Sequence, residues 1–208
     1  MNKLHGLYAI TDSQLMSEKL FEEKLHACLE GGARIVQYRD KSTDHDKRLK
    51  QATLLVKLCQ DYNAISIIND DIQLAKATHA NGLHMGKDDA TLQQAREQLG
   101  DEAIIGISCY KQFELAQRAQ QQGANYIAFG ACFASKTKPN APIAEHSLFT
   151  QAKQQLTIPS CAIGGITEHN AQQVIHSGAD MIAVIQQLFA GSPDQVKQQS
   201  LQLSQCFK

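Results

Sequence analysis

Residues 31–41 read GGARIVQYRDK, and with the helical stretch before them they complete one cycle of the pattern that organises the chain. A helical stretch with Leu20, Lys24, Ala27, Cys28 and Gly31 at helical spacing, apolar or small except for the lysine, ends at glycine. The apolar run RIVQY follows, and Arg39 and Lys41 come directly after it. The same order recurs in LYAIT, ISIIND, GLHMG, AIIGIS, YIAFG, CAIGG and MIAVI, eight runs in all. Polar groups gather behind them: Asn69-Asp70, Asp88-Asp89, Ser108, Ser135-Lys136-Thr137-Lys138 and Gly164-Gly165. Parallel strands whose reactive groups all sit at one end describe the catalytic face of a (β/α)8 barrel.

Gly32-Ala33-Arg34, Gly123-Ala124-Asn125 and Gly178-Ala179-Asp180 each place glycine between an amphipathic stretch and a strand; Asn81-Gly82-Leu83 also leads into a strand. Glycine tolerates the left-handed backbone that stops a helix and lets the chain reverse. The strand runs are almost continuously apolar, as expected of a sheet covered by helices. Strand starts near residues 7, 34, 65, 82, 103, 125, 159 and 180 leave room for a helix between successive strands. Such right-handed βαβ units can close into a barrel, and an open doubly wound sheet is the competing architecture. The 208 residues give 26 per unit, a short but workable α/β TIM barrel, expected to form a single domain over 1–208. The longest interval, 34 residues, holds the polar loop Ala131 to Pro142, and long loops in compact domains usually serve function.

Twenty Lys and Arg balance 21 Asp and Glu, so no basic excess suggests nucleic acid, and any anion binding should be local. The six cysteines lack a C-x-x-C pair; Cys109, Cys132 and Cys161 lie in or beside strand runs, where a thiol behaves as a small hydrophobe. No apolar stretch reaches the roughly eighteen residues of a membrane span. The first fifteen residues lack the apolar core of a secretion signal. A reduced, cytoplasmic enzyme is the expected class.

Asn69-Asp70-Asp71 ends the third strand run and Asp88-Asp89 follows the fourth. Neighbouring strands lie about 5 Å apart, so these carboxylates are expected to converge on a divalent cation, Mg²⁺ together with substrate phosphate. Helix capping is the competing role, and it suits Asp71 and Asp88. Gly164-Gly165 precedes a helix expected near Thr167, where bare amides would receive phosphate beside Ser135, Thr137 and Lys138. Arg39 and Lys41 would grip an anion from the other side. His79 and His84 fit no common zinc spacing, and His84 is read as a satisfied layer histidine. Ser108-Cys109-Tyr110 lacks the Gly-x-Ser-x-Gly of a nucleophile elbow.

The motifs LYAITD, VQYRDK, IINDD, GLHMGKDD, IIGIS, GANYIAFG, SKTKP, AIGGI and GADMIAVI resemble, in order from Leu7 to about Leu188, the thiamine phosphate synthase family. The resemblance implies Mg²⁺-dependent joining of 4-amino-2-methyl-5-hydroxymethylpyrimidine diphosphate to 4-methyl-5-hydroxyethylthiazole phosphate, with release of pyrophosphate. It implies that Gln37, Arg39 and Lys41 contact the pyrimidine and its diphosphate, and that Asn69 joins them. Asp70 and Asp89 would bind Mg²⁺, and Ser108 would contact pyrophosphate. Ser135, Thr137 and Lys138 occupy the family's T-x-T-K. Gly164, Gly165, Ile185 and Gln186 would receive the thiazole phosphate. Arg39, Lys41, Ser108 and Lys138 are thus the candidate catalytic groups. The implied partners are small phosphorylated molecules, with room for a homo-oligomer.

Four positions depart from the family pattern. Tyr110 stands where His or Thr is common, Lys87 replaces Gln, Ala134 replaces Pro, and Gln186 replaces Ser or Thr. The rival readings are a thiazole tautomerase and a non-catalytic paralogue that binds thiamine precursors. Retention of Asp70 and Asp89, with Tyr110 in place of the tautomerase histidine, favours the synthase.

Overall fold

The computed structural model describes residues 4–86, 91–134 and 143–208. Its strands are β1 (Gly6–Ile10), β2 (Ile35–Tyr38), β3 (Ile65–Asn69), β4 (Gly82–Met85), β5 (Ile104–Tyr110), β6 (Tyr126–Gly130), β7 (Ser160–Ile163) and β8 (Met181–Val184). Between them run α1 (Phe21–Glu30), α2 (His45–Asp61), α3 (Ile72–Thr78), α4 (Leu92–Leu99), α5 (Phe113–Gln121), α6 (Ser147–Gln155) and α7 (Ala171–His176). A single-turn α8 (Gln186–Phe189) and then α9 (Pro193–Gln205) follow β8. Each strand pairs in parallel with the next, and β8 pairs with β1, so the sheet closes in the order β1 to β8. The open-sheet alternative is excluded by that closure.

Side-chain alternation with period two explains how one apolar strand serves two cores. On β1, Tyr8 and Ile10 face the lumen, joined there by Ile35, Ile67, Tyr126, Ala128, Cys161 and Met181. Leu7 and Ala9 face outward into the larger layer between strands and helices, with Leu25, Val36, Leu55, Ile105, Phe129, Phe149 and Ile182. Strand starts lie within one residue of those expected from the apolar runs. The glycine rule holds where it was expected to: Gly32, Gly123 and Gly178 all have positive φ, between 91° and 115°. The six thiols are free, and five of them are buried.

Two boundaries differ from the sequence reading. The helix expected near Thr167 begins at Ala171, because residues 167–170 form a turn in which the Asn170 side chain accepts from the Thr167 amide at 2.8 Å. The outer helix of the last unit is α9, which packs mainly on α1, while α8 is one short turn under the barrel mouth. Among the described residues no helix is long and apolar enough to cross a membrane.

Candidate active site

The C-terminal ends of β1 to β8 gather the site. At β2, Gln37 is buried and its Nε2 donates to Tyr8 Oη at 2.7 Å. The Thr11 hydroxyl from the end of β1 accepts the Arg39 amide at 2.9 Å and so fixes the backbone as it leaves the barrel. Asp40 turns aside, taking Lys47 Nζ at 2.8 Å and the Ser42 amide at 2.8 Å. Burial raises the Asp40 pKa, but the bonds from Lys47 and Ser42 outweigh it and hold the carboxyl below its ordinary value. The acid between the two cations is therefore neutralised locally, and Arg39 has no acidic ion-pair partner among the described residues.

At the end of β3, Asp70 adopts a left-handed backbone with φ 62°. Asp and Asn are among the few side chains that enter this region readily. The conformation is held by the Asp70 amide donating to His84 O at 2.9 Å and the Asp71 amide donating to Asn69 O at 2.7 Å. Asn69 Nδ2 donates to Asp70 Oδ2. Asp71 takes the capping role: its Oδ1 accepts the Leu74 amide at 2.9 Å and its Oδ2 pairs with Arg48 at 2.7 Å. The neighbouring acids are thus divided between two jobs. A carboxylate at a strand end, with an amide beside it, is a hard-oxygen site suited to Mg²⁺ completed by phosphate oxygens and water. Among the described residues no cluster of three metal-ligating side chains exists. Asp89, the expected second ligand, lies outside the described residues, as do Ser135, Thr137 and Lys138.

Ser108 sits near the end of β5 with its Oγ 2.9 Å from His84 Nε2, and His84 Nδ1 is 3.0 Å from Tyr126 Oη. His84 is a satisfied layer histidine, and it ties the candidate Ser108 to the lumen. Tyr8, His84 and Tyr126 are the polar groups that motif reading passed over as functional. The available signal was three ring residues capable of hydrogen bonding, placed on inward strand positions that are otherwise apolar.

Gly164 and Gly165 follow β7 with φ of 100° and 66°. A Cβ on Gly164 would come within 2.6 Å of Ala131 Cβ, and one on Gly165 within 2.6 Å of Phe133 O. Phe133 N donates to Gly164 O at 3.0 Å, so this pair carries the end of β7 against residues 131–133, which follow β6. Ile185 precedes α8, and Gln186 opens that helix with its side chain exposed. The mouth therefore gathers Gln37 and Arg39 from β2, Asn69 and Asp70 from β3, Ser108 from β5, the β7 glycines, and Ile185 with Gln186 from β8. Lys41 is more exposed, beyond Arg39.

A family model described as thiamine monophosphate synthase matches residues 7–188. The chain belongs to that family. It is 48% identical over 188 residues to a thiamine-phosphate synthase of Thioalkalivibrio sulfidiphilus, covering 90% of this chain and 89% of the relative. A thiamine-phosphate synthase of Saccharophagus degradans is 49% identical over 187 residues, covering 89% and 86%. Among solved structures, thiamine phosphate pyrophosphorylase from Pyrococcus furiosus superposes with a TM-score of 0.87 at 31% identity, covering 99% of this chain and 96% of that one. The family match thus runs from β1 to α8 and takes in every strand end that builds the site.

Proposed function

We propose that the chain forms the C–N bond of thiamine phosphate. In this reaction the methylene carbon of the pyrimidine diphosphate loses its bond to oxygen and pyrophosphate departs with the electron pair. The lone pair on the thiazole nitrogen then bonds to that carbon. Family membership over nine-tenths of the chain carries the reading, and the strand-end chemistry agrees with it. No side-chain nucleophile is required, which accords with the lack of a nucleophile motif.

Each residue has a physical task in this scheme. Gln37 and Asn69 orient the pyrimidine. Arg39, Lys41 and Lys138 meet the negative charge that grows on the departing oxygens, an interaction stronger in the transition state than in the ground state. Ser108 donates to the same diphosphate. Asp70 and Asp89 would hold Mg²⁺, which when bound supplies further charge neutralisation at the leaving group. Gly164, Gly165, Ile185 and Gln186 receive the thiazole phosphate, with Ser135 and Thr137 adding hydroxyl donors. Holding both substrates aligned in a dry pocket supplies much of the remaining rate. The setting is the reducing cytoplasm, and no membrane or nucleic-acid partner is involved.

The experiment combines purified protein, both substrates and Mg²⁺, and follows thiamine phosphate and pyrophosphate. Formation of both products, abolished by EDTA and reduced at least about a hundredfold by Asp70→Asn, is the expected result. Isomerisation of a thiazole carboxylate phosphate without condensation would place the protein with the tautomerases. Tight substrate binding without turnover would make it a sensor.

A further inference from the structure

Five side chains from five strands form one hydrogen-bonded line across the barrel lumen. Gln37 Nε2 on β2 donates to Tyr8 Oη on β1 at 2.7 Å, and Tyr8 Oη lies 2.8 Å from Tyr126 Oη on β6. Tyr126 Oη is 3.0 Å from His84 Nδ1 on β4, and His84 Nε2 is 2.9 Å from Ser108 Oγ on β5. The line is built into the core. Tyr8 and Tyr126 are at most 1% exposed, and the Tyr126 ring stacks on the His84 imidazole at 5.5 Å and 26°. Gly106 makes the space: a Cβ there would lie 2.0 Å from Tyr126 Cζ.

Proton counting gives the line a direction. A phenol donates one hydrogen bond and accepts others. Gln37 donates to Tyr8, so the Tyr8 proton needs its own acceptor, and the one the structure supplies is Tyr126 Oη. Reversing that bond would strand a buried donor, which is disfavoured. With Tyr126 receiving from Tyr8, its own proton passes to His84 Nδ1. The imidazole proton then sits on Nε2 and points at Ser108 Oγ. Ser108 accepts there, so its hydroxyl hydrogen is free to turn toward the barrel mouth. Burial raises the pKa of both phenols, so they stay protonated in the working range.

We propose that Tyr126 is a positioning residue: it fixes His84 as the Nε2–H tautomer and thereby makes Ser108 a hydrogen-bond donor to the diphosphate. The inference rests on the assignment of Ser108 to that group, and it makes the amide orientation of Gln37 and the donor role of Ser108 two ends of one relay. Tyr126 is fully buried in the lumen and acts through His84.

The test is long-range ¹H–¹⁵N spectroscopy of the full-length protein labelled at histidine, with His84→Gln identifying the signals. The Nε2–H tautomer is expected in the unsubstituted protein, and an Nδ1–H tautomer overturns the proposal with no variant needed. Tyr126→Phe keeps the ring and removes the hydroxyl. It should convert His84 to a tautomer mixture and raise KM for the pyrimidine diphosphate about tenfold, the scale of one hydrogen bond. KM for the thiazole phosphate should stay within about twofold, and the same substitution in a Ser108→Ala background should change neither constant much further. An unchanged tautomer in Tyr126→Phe, or an equal rise in both KM values, overturns the positioning role. If the unsubstituted protein makes no thiamine phosphate, the functional reading fails, and the spectra still decide the tautomer.

Discussion

Arg48 of α2 holds Asp71 at the head of α3, with Nη2 2.7 Å from Oδ2, while the other oxygen of that carboxylate caps the Leu74 amide at 2.9 Å. Both oxygens of Asp71 are thus committed to the scaffold. Its neighbour Asp70 is turned by a left-handed backbone and follows β3 directly at the mouth. One peptide bond separates a structural acid from a candidate metal ligand.

Two substitutions separate these roles. Asp71→Ala removes a cap and a half-buried ion pair and should cost about 2 kcal/mol, read as a lower Tm, with the Mg²⁺ dependence of turnover retained. Asp70→Asn preserves size and tolerates the positive φ, so its Tm should shift little. Its turnover should fall at least about a hundredfold, with partial recovery at high Mg²⁺. The reverse pattern would move the metal site to Asp71.

The barrel was legible because each strand run alternates between two apolar layers and is followed by its helix. Arg39, Asp70 and Ser108 were legible because strand ends are where a barrel exposes polar groups. The start of α7 was not, since the Asn170 side chain takes the Thr167 amide and keeps four residues in a turn before the helix begins. The Tyr8–Tyr126 contact was equally hidden. It joins residues 118 apart in sequence, and only barrel closure places them 2.8 Å apart. Neither residue belongs to a polar cluster that motif reading would single out.

Gly164→Ala should damage both stability and binding. The new methyl would arrive 2.6 Å from Ala131 Cβ on a backbone at φ 100°. A positive φ of this kind costs a non-glycine residue about 1–3 kcal/mol before any clash, so a loss of at least about 2 kcal/mol is expected in chemical denaturation. KM for the thiazole phosphate should rise several-fold while KM for the pyrimidine diphosphate holds. Unchanged thiazole kinetics would remove this turn from the phosphate site.

Gln186 opens α8 with an exposed side chain, where Ser or Thr stands in the family pattern. If the amide only crowds the thiazole phosphate, Gln186→Ser should lower that KM about threefold and leave the pyrimidine diphosphate KM alone. Parallel changes in both constants would show that the position acts on something shared, such as closure of the mouth. A higher thiazole KM would mean that Gln186 itself donates to the phosphate.

Asp40 links stability to pH between the two cations that follow β2. Its folded pKa is depressed, since the bonds from Lys47 and Ser42 outweigh the burial that raises it. A depressed carboxyl stabilises the fold fully above its ordinary value of 3.8, and that contribution is lost as pH falls through the lower folded value. Asp40→Asn should therefore lower stability by about 1–2 kcal/mol at neutral pH, the range of a hydrogen bond to a charged group. The difference from the unsubstituted protein should stay constant from about pH 5 to 8 and shrink below about pH 4. Thermal melts across that range read it directly. At neutral pH the freed loop should also raise KM for the pyrimidine diphosphate, because Arg39 and Lys41 flank the residue that anchors it. A stability gap of equal size at pH 3 and pH 7 would mean that the Asp40 charge contributes nothing, and that its side-chain shape alone holds the turn.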